Sequence, residues 1–213
     1  MSELQVRGVS VDFGGAPVLD SVDLTVAAGE IVALLGPSGS GKSTLLRVIA
    51  GIQPPTSGRI TIDGQDVTRQ PTHRRRVGMV FQDNQLFPHR DVLANVEFGL
   101  KMAGVSRSDR AGKARGWLER VGLAGFDHRD VTGLSGGEAK RVALARTLVA
   151  EPRIVLLDEP LTGLDRELHD RLAGELARIL RDPGSTALLV THDHDEAEQI
   201  ADRVVRLVEL SSG

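Results

Sequence analysis

The chain reads Gly36-Pro37-Ser38-Gly39-Ser40-Gly41-Lys42-Ser43-Thr44 between a continuous apolar run, residues 31–35, and a segment of helical spacing that begins near Lys42. This is the pattern G-x-x-x-x-G-K-[ST], placed between a predicted strand and a predicted helix. Glycines allow the backbone to turn around a polyphosphate and approach it closely, because no Cβ stands in the way. The helix that follows directs unpaired N–H groups and the positive end of its dipole at the same phosphates. The stretch therefore predicts a nucleotide site, and a glycine-rich loop without a ligand is the alternative.

Individual side chains of this stretch have distinct predicted roles. Lys42 is placed to reach the β- and γ-phosphate oxygens, and the Ser43 hydroxyl is placed to ligate Mg²⁺. The residues expected to hold the nucleotide are Gly36, Ser38, Gly39, Ser40, Gly41, Lys42, Ser43 and Thr44. What the protein does with the nucleotide has to be inferred from other parts of the chain.

Composition limits the class of protein. The chain has 213 residues, enough for one or two domains with a sizeable core. Its net charge of −3 is not the basic balance of a generic nucleic-acid-binding protein. The absence of cysteine excludes disulfides and thiolate metal sites and suits a reducing cytoplasm. No apolar run approaches the roughly 20 residues of a membrane span, and the first residues lack the form of a signal peptide. We therefore expect a soluble protein that stays where it is made unless a partner carries it.

Hydrophobic periodicity predicts an α/β fold with a mostly parallel sheet. Alternating patterns at residues 4–11 and 21–26 predict short antiparallel strands, with Phe13 in the turn between them. Further strands are predicted at 31–35, 59–62, 77–81, 153–157, 187–190 and 204–208. Helices are predicted at 42–50, 91–102, 108–121, 136–149, 166–181 and 194–201. Strands interleaved with helices indicate a parallel sheet covered on both faces.

Ligands of such sheets gather at the carboxyl ends of the strands. Four candidate motifs fall at predicted strand ends: the glycine-rich stretch, Gln82, Asp158-Glu159 and His192. We therefore expect them to meet at one edge of the sheet.

The residues at the strand ends suit phosphoryl transfer. Asp158 is the predicted Mg²⁺ residue, acting through water, because Mg²⁺ is often held by one or two carboxylates together with phosphates. Glu159 is predicted to polarise an attacking water. Gln82 can bind both Mg²⁺ and water through its amide, and His192 is a predicted donor to the γ-phosphate. The alternatives are a solvated turn for the two acids and an ordinary structural role for Gln82 and His192.

Two charged segments resemble binding sites but suit simpler roles. The segment 192–196, His-Asp-His-Asp-Glu, invites a metal-site interpretation, but acids that open a helix already complement its dipole. The segment 73–76, His-Arg-Arg-Arg, is expected to be a solvated charged turn rather than a site for anionic lipid.

A second glycine-rich segment, Leu134-Ser135-Gly136-Gly137-Glu138, opens another predicted helix. Its form also suits an anion at a helix N-terminus. The phosphates of one nucleotide are already enclosed by residues 36–44, so this segment is surplus within one chain. It is explained if it faces a nucleotide held by another copy, and a simple helix cap is the alternative.

Together these motifs resemble the ATP-binding subunit of an ABC transporter, over nearly the whole chain. Residues 36–44 are similar to Walker A, Gln82 to the Q-loop, and residues 134–138 to the ABC signature. Residues 153–158 resemble Walker B, residues 161–165 the D-loop, and His192 the H-loop histidine. The resemblance implies a P-loop NTPase core with an antiparallel β part, residues 1–84 and 152–213. It also implies an α-helical signature subdomain, residues 85–151.

The resemblance further implies a homodimer or pseudodimer that closes head-to-tail around two ATP. Each ATP would lie between one chain's Walker A and the partner chain's Ser135, Gly136, Gly137 and Glu138. The implied catalytic residues are Glu159 as base, His192, Gln82 and Lys42, and the implied Mg²⁺ residues are Ser43, Gln82 and Asp158. Hydrolysis would power transport through separate transmembrane permease subunits, with a substrate-binding protein as a further partner and no nucleic acid. The chain would lie at the cytoplasmic face of the membrane.

The segment 82–100 looks most like importers of the iron, polyamine, sulfate or thiamine type. Phe87, Phe98 and Leu100 are expected either in the groove that receives a membrane subunit or in ordinary core. Trp117 and Leu118 are expected in the core of the helical subdomain.

Some positions depart from the family pattern. Phe13 stands where an adenine-stacking tyrosine is usual, and its ring is still able to stack. Glu138 replaces the usual glutamine, and we expect its carboxylate to face away from ATP. Thr162-Gly163 replaces serine-alanine in the D-loop. We also expect that the chain lacks the C-terminal regulatory domain of many such importers.

The main alternative function is a non-transport ABC-type ATPase that acts on nucleic acid or chromosomes. Such chains place a long coiled coil between the phosphate loop and the signature. Here the two motifs are separated by about 90 residues that contain no heptad run.

Overall fold

The computed structural model describes residues 2–181 and 184–210, without the side chain of Phe13. The predicted stacking of Phe13 on adenine therefore lies outside the described part of the chain. The strands of that part are β1 Leu4–Phe13, β2 Ala16–Val26, β3 Ile31–Leu35, β4 Ser57–Ile62, β5 Gln65–Asp66, β6 Val77–Val80, β7 Ile154–Asp158, β8 Thr186–Thr191 and β9 Arg203–Arg206. Its helices are α1 Lys42–Ala50, α2 Thr72–Arg75, α3 Val92–Val96, α4 Phe98–Met102, α5 Arg107–Arg120, α6 Gly136–Leu148, α7 Arg166–Arg181 and α8 His194–Ile200. Across residues 2–181 and 184–210, no helix combines the length and apolarity needed to cross a membrane.

The strands form two sheets, as predicted. The parallel sheet has the order β6-β7-β8-β3-β9, and the antiparallel sheet has the order β2-β1-β4-β5. The antiparallel strands β1 and β2 are longer than predicted, because Gly14 and Gly15 turn the hairpin in two residues with φ of 58° and 89°. Phe13, expected in the turn, is instead the last residue of β1 and pairs with Ala16.

Alternate residues of the parallel strands enter two separate cores. Ala33 and Leu35 of β3 face a core shared with helices α3–α8. Val32 and Leu34 face the other core, which contains α1 and the antiparallel sheet. Because successive side chains of a strand point to opposite faces, a strand covered on both faces has to be apolar throughout. This explains the continuous apolar runs that flank each candidate motif.

The predicted helix at 91–102 is two helices in the structure. Asp91 caps α3 by accepting a hydrogen bond from the Ala94 N–H, and the chain bends at Glu97 before α4 begins. The Glu97 carboxylate lies 3.2 Å from Arg110 Nε of α5. Helical spacing alone does not reveal this bend, because both halves keep apolar residues on the same side.

Arg75 corrects the expectation of a solvated turn at residues 73–76. Its side chain is buried, and its guanidinium donates to four backbone carbonyls. The acceptors are Val48 at 2.8 Å, Ile49 at 2.9 Å, Thr68 at 2.8 Å and Gln70 at 2.8 Å. Two of these carbonyls lie in the last turn of helix α1, where carbonyls lack i+4 partners within the helix. Of the two, the Val48 carbonyl also accepts a hydrogen bond from the Gly51 N–H at 3.1 Å. The guanidinium also packs under Gly51, where a Cβ would meet Arg75 Nε at 2.4 Å.

We predict that Arg75→Met lowers the free energy of unfolding by about 3 kcal/mol, because buried carbonyls lose their donors. The matched control is Arg74→Met, because Arg74 is exposed on the same short helix. The control should change stability by about 0.5 kcal/mol or less. Denaturant titration measures both variants, and equal losses would contradict a structural role for Arg75.

Candidate nucleotide-hydrolysis site

The loop between β3 and α1 has a backbone shape that requires glycine at position 41 and leaves little room for a side chain at position 36. Gly41 has φ of 100°, and a Cβ there would lie 2.8 Å from the Val18 carbonyl oxygen. A Cβ on Gly36 would lie 2.9 Å from Ser40 Oγ. The loop therefore presents backbone rather than side chains at the start of α1, as the phosphate-loop pattern requires.

Lys42 lies inside this loop. Its side chain is 5 % exposed, and Nζ donates to the carbonyl oxygens of Gly36 at 2.6 Å and Pro37 at 2.8 Å. These two hydrogen bonds hold the ammonium within the loop.

Ser43 and Asp158 bring two oxygen ligands together. Ser43 Oγ donates to Asp158 Oδ1 at 2.7 Å, which joins the first turn of α1 to the end of β7. Asp158 is 4 % exposed, and burial raises the pKa of its carboxyl, an effect opposed by the Ser43 hydrogen bond. A hydroxyl and a buried carboxylate beside a phosphate loop fit Mg²⁺, which prefers hard oxygen ligands.

Glu159 is the centre of the strand-end cluster. Its Oε2 atom lies 3.4 Å from Gln82 Nε2, 3.4 Å from His192 Nδ1 and 3.0 Å from Thr162 Oγ1. The predicted meeting of the strand-end motifs at one edge is therefore confirmed. The backbone contributes as well, because Glu159 has φ of 46° and its N–H donates to the Val190 carbonyl oxygen at 2.9 Å.

Thr162 is a member of this cluster that the sequence did not identify. In the sequence it stands out only as a departure from the D-loop pattern, yet its hydroxyl makes the shortest of the three side-chain contacts with Glu159. The signal available in the sequence is its position three residues after Glu159, within one turn.

The segment 192–196 is a capped helix start. Asp193 caps α8 by accepting a hydrogen bond from the Glu196 N–H at 3.0 Å. Glu196 is 2 % exposed and its Oε2 accepts a hydrogen bond from Thr191 Oγ1 at 2.6 Å. Burial raises the pKa of the Glu196 carboxyl. Asp193 and Glu196 are thus engaged in hydrogen bonds at the junction of β8 and α8, where His192 lies.

The segment around Ser135 forms a capping box. Ser135 Oγ accepts from the Glu138 N–H at 3.3 Å, and Glu138 Oε2 accepts from the Ser135 N–H at 2.7 Å. These hydrogen bonds lower the pKa of Glu138, and Arg129 Nη1 lies 3.7 Å from its Oε1. The carboxylate is therefore turned back onto its own helix.

This capped segment is separate from the cluster in its polar contacts. Among the described residues, no hydrogen bond or ion pair joins residues 134–138 to residues 36–44, Gln82, Asp158, Glu159 or His192. Its Gly136 and Gly137 instead lie against α7 and the turn before it, where a Cβ on Gly137 would meet Leu168 Cδ2 at 3.2 Å. The structure thus assembles the strand-end motifs and leaves Ser135 to Glu138 outside them.

Other expected positions divide between surface and core. The rings of Phe87 and Phe98 are 4.6 Å apart and half-buried, with the Arg90 guanidinium over both. Leu100 and Leu118 belong to the core, and Trp117 packs against that core while half-buried.

Comparison with known proteins agrees with this geometry. The profile of the ABC transporter family matches residues 19–162. The Fe(3+) ions import ATP-binding protein FbpC of Streptomyces coelicolor is 53% identical over 204 residues, which cover 96% of this chain and 59% of that protein. The spermidine/putrescine import ATP-binding protein PotA of Mesoplasma florum is 43% identical over 208 residues, covering 98% of this chain and 59% of that protein.

Solved structures give the same result. The dimeric, post-hydrolysis ATP-binding cassette MJ0796 with ADP and Pi has a TM-score of 0.85 and 32% identity, covering 95% of this chain and 93% of that chain. The protein cbiO1 of Clostridium perfringens, described as part of the ABC transporter complex cbiONQ, has a TM-score of 0.86 and 32% identity. That likeness covers 95% of this chain and 83% of that one. The chain spans about 59% of the length of the FbpC and PotA relatives and nearly all of the MJ0796 cassette. Its sequence, fold and strand-end cluster establish that the chain belongs to the ABC transporter family, as an ATP-binding cassette.

Proposed function

We propose that this chain is the ATPase subunit of an importer and hydrolyses ATP only when two cassettes close around the nucleotide. The observation that carries the proposal is the contact of Gln82, Thr162 and His192 with a single oxygen of Glu159. Glu159 directly follows Asp158 in the chain, and Asp158 accepts a hydrogen bond from Ser43 of the loop 36–44. Phosphoryl transfer depends mainly on such positioning and on charge neutralisation.

The residues divide the work of hydrolysis. The loop 36–44 holds the phosphates, and Lys42 exchanges its carbonyl partners for phosphate oxygens. Ser43 and Asp158, with Gln82, would hold Mg²⁺, which supplies charge neutralisation on the β- and γ-phosphates. Glu159 orients and polarises the attacking water as general base. His192, held in contact with Glu159, is assigned to the γ-phosphate.

The partner cassette completes the site. Ser135 to Glu138 form a helix start with no polar contact to the cluster in the described part of the chain, which suits a role toward the nucleotide of another copy. The dimeric, ADP-bound and Pi-bound cassette among the relatives supports this arrangement. We assign residues 1–84 and 152–213 to the ATP-binding core and residues 85–151 to the helical subdomain. The second copy is an identical chain or a similar cassette.

Transport would be carried by separate membrane subunits. The FbpC relatives are named as Fe(3+) import proteins and PotA as a spermidine/putrescine import protein. We infer import as the direction, Fe(3+) as the first cargo to test, and a substrate-binding protein as a further partner. The chain would lie at the cytoplasmic face of the membrane, with the Phe87–Phe98 pair facing a permease subunit. Copurification of the permease with this chain, followed by uptake assays with iron and with polyamines, tests the cargo.

An ATPase that acts on nucleic acid or chromosomes is not favoured. The net charge of −3 offers no basic footprint, and α3 to α6 are short helices rather than a coiled coil. Binding to DNA or RNA that weakens steeply with salt would revive this alternative.

We predict that Glu159→Gln reduces kcat by about 100-fold or more, because the amide is a far weaker base. ATP affinity should stay within about threefold of wild type, because the phosphate contacts are unchanged. With ATP and Mg²⁺ the variant should accumulate as a dimer in size-exclusion chromatography. The control is Lys42→Ala, which should lose ATP binding and remain monomeric. Normal hydrolysis by Glu159→Gln would show that the base has been assigned to the wrong residue.

We also predict that Ser135→Ala slows hydrolysis while the dilute monomer still binds ATP with wild-type affinity. Mixing Ser135→Ala with Lys42→Ala should restore activity above that of either variant, because the heterodimer contains one intact composite site. If half of all chains pair as heterodimers, each with one working site of two, about a quarter of the wild-type rate should return. Equal loss of ATP binding and hydrolysis in Ser135→Ala would contradict a site shared between chains.

A further inference from the structure

Arg146 makes a contact that the proposed hydrolysis does not use. It lies in the last turn of α6, and its guanidinium donates to two consecutive backbone carbonyls. Nη2 bonds to the Asn84 carbonyl oxygen and Nη1 to the Gln85 carbonyl oxygen, both at 2.7 Å. The guanidinium also lies 5.5 Å from the centre of the Phe87 ring. Burial lowers the pKa of Arg146, and it stays a cation because an arginine pKa is so high.

The two residues that Arg146 holds have an unfavourable backbone conformation. Asn84 and Gln85 are both in the left-handed region, with φ of 59° and 46°. Non-glycine residues rarely adopt this region, and two in succession persist only where the surroundings impose it. Asn84 Oδ1 is buried and finds no hydrogen-bond partner among residues 2–181 and 184–210. The planar fork of Arg146 matches the two neighbouring carbonyls and stabilises this turn.

The turn sets the direction of the chain directly after Gln82. Gln82 precedes Asn84 by two residues, and its amide reaches Glu159 Oε2 at 3.4 Å. Farther along, the Asn95 side chain holds the backbone of Phe87. Asn95 Oδ1 accepts a hydrogen bond from the Phe87 N–H at 2.8 Å, and Asn95 Nδ2 donates to the Phe87 carbonyl oxygen at 3.2 Å. Backbone hydrogen bonds from the Asn84 N–H to Phe81 and from the Gln85 N–H to Asp83 also close the turn. Of the side chains that hydrogen-bond to the backbone of residues 84–87, Arg146 binds nearer to Gln82 than Asn95 does.

Helix α6 connects this turn to the second glycine-rich segment. The helix begins at Gly136, next to Ser135, and Arg146 is ten residues farther along the same helix. At the rise of an α-helix that separation is about 15 Å. One continuous helix therefore joins the Ser135 end to the contacts with residues 84 and 85, without an intervening loop.

We propose that Arg146 is a positioning residue for ATP hydrolysis. It holds the turn at residues 84–85 so that Gln82 stays beside Glu159, and it ties that turn to the helix that starts at Ser135. The proposal rests on the proposed function, because it acts through Gln82 at the hydrolytic site. Within residues 2–181 and 184–210, the hydrogen bonds of the Arg146 side chain go to this turn and to none of the residues assigned to nucleotide.

A double-mutant cycle in the full 213-residue chain tests this role. The variants are Arg146→Lys, Gln82→Ala and the double variant. Lysine keeps the charge but lacks the planar fork, so this variant is more conservative than truncation. Exposed Arg107 on the neighbouring helix α5 supplies the control, Arg107→Lys. Each protein is measured for kcat, KM for ATP and thermal unfolding temperature, and for hydrogen exchange of the amides of residues 84–87.

Arg146→Lys should lower kcat about tenfold and leave KM within about twofold, because phosphate binding is unaffected. In the Gln82→Ala background the same substitution should cost less than about twofold, because residues that act as one unit are not additive. Amide exchange of residues 84–87 should accelerate in Arg146→Lys and not in Arg107→Lys.

Two results overturn the proposal while leaving the proposed function intact. One is a double variant whose loss of kcat equals the product of the two single losses, which would show that Arg146 and Gln82 act independently. The other is a lowered unfolding temperature of Arg146→Lys with unchanged kcat at a temperature where the variant is folded. If instead the wild-type chain fails to hydrolyse ATP at dimer-forming concentrations, the proposed function itself is wrong.

Discussion

The hydrogen bond between Ser43 Oγ and Asp158 Oδ1 depends on the parallel alignment of β7 and β3 around β8. All the strands of that sheet end at the same edge, so each loop after a strand opens into the same space. The alignment is in turn imposed by two apolar cores, one on each face. Asp158 is buried because it is the last residue of β7, a strand that is covered on both faces. This burial raises the pKa of its carboxyl. A nearby cation favours the ionised form of a carboxyl in that position. The protonation of Asp158 therefore depends on whether a cation is bound beside the loop 36–44.

Much of this arrangement was predictable from the sequence, because its causes are local. Helix α1 begins and ends where predicted, at Lys42 and Ala50, because left-handed glycines stand at both ends. The strand-end positions of Gln82, Glu159 and His192 followed from apolar runs and from the topology rule for parallel sheets. The predicted strand lengths were less accurate, and the break in the helix at Glu97 was not predicted. Hairpin turns and tertiary contacts move such boundaries by one or more residues.

What escaped prediction depends on residues that are far apart in the chain. In the sequence Arg75 is one of several arginines in a row. Nothing near it in the chain reveals that its guanidinium donates hydrogen bonds to the carbonyls of residues 48 and 49. Glu196 has the pattern of a helix-opening acid, whereas Thr191 and the packing of α8 bury it. Arg146 likewise occupies an ordinary polar position of a helix, although its acceptors lie about 60 residues earlier. In each case the local pattern gives the helix correctly, but the partner of the charged group exists only after folding.

Glu138 shows how a change of charge is accommodated at a helix start that is expected to receive an anion. An ionised carboxylate there would repel a phosphate if it pointed outward. In the structure it accepts a hydrogen bond from the Ser135 N–H at the start of its own helix and lies 3.7 Å from Arg129 in the segment before that helix. The capping box accepts glutamate and glutamine alike, because either side chain offers an oxygen to the same N–H group. The N–H groups of Gly136 and Gly137 are not the ones that the carboxylate occupies. The replacement therefore keeps the capping box at the helix start, and the added negative charge is balanced by the positive end of the helix dipole and by Arg129.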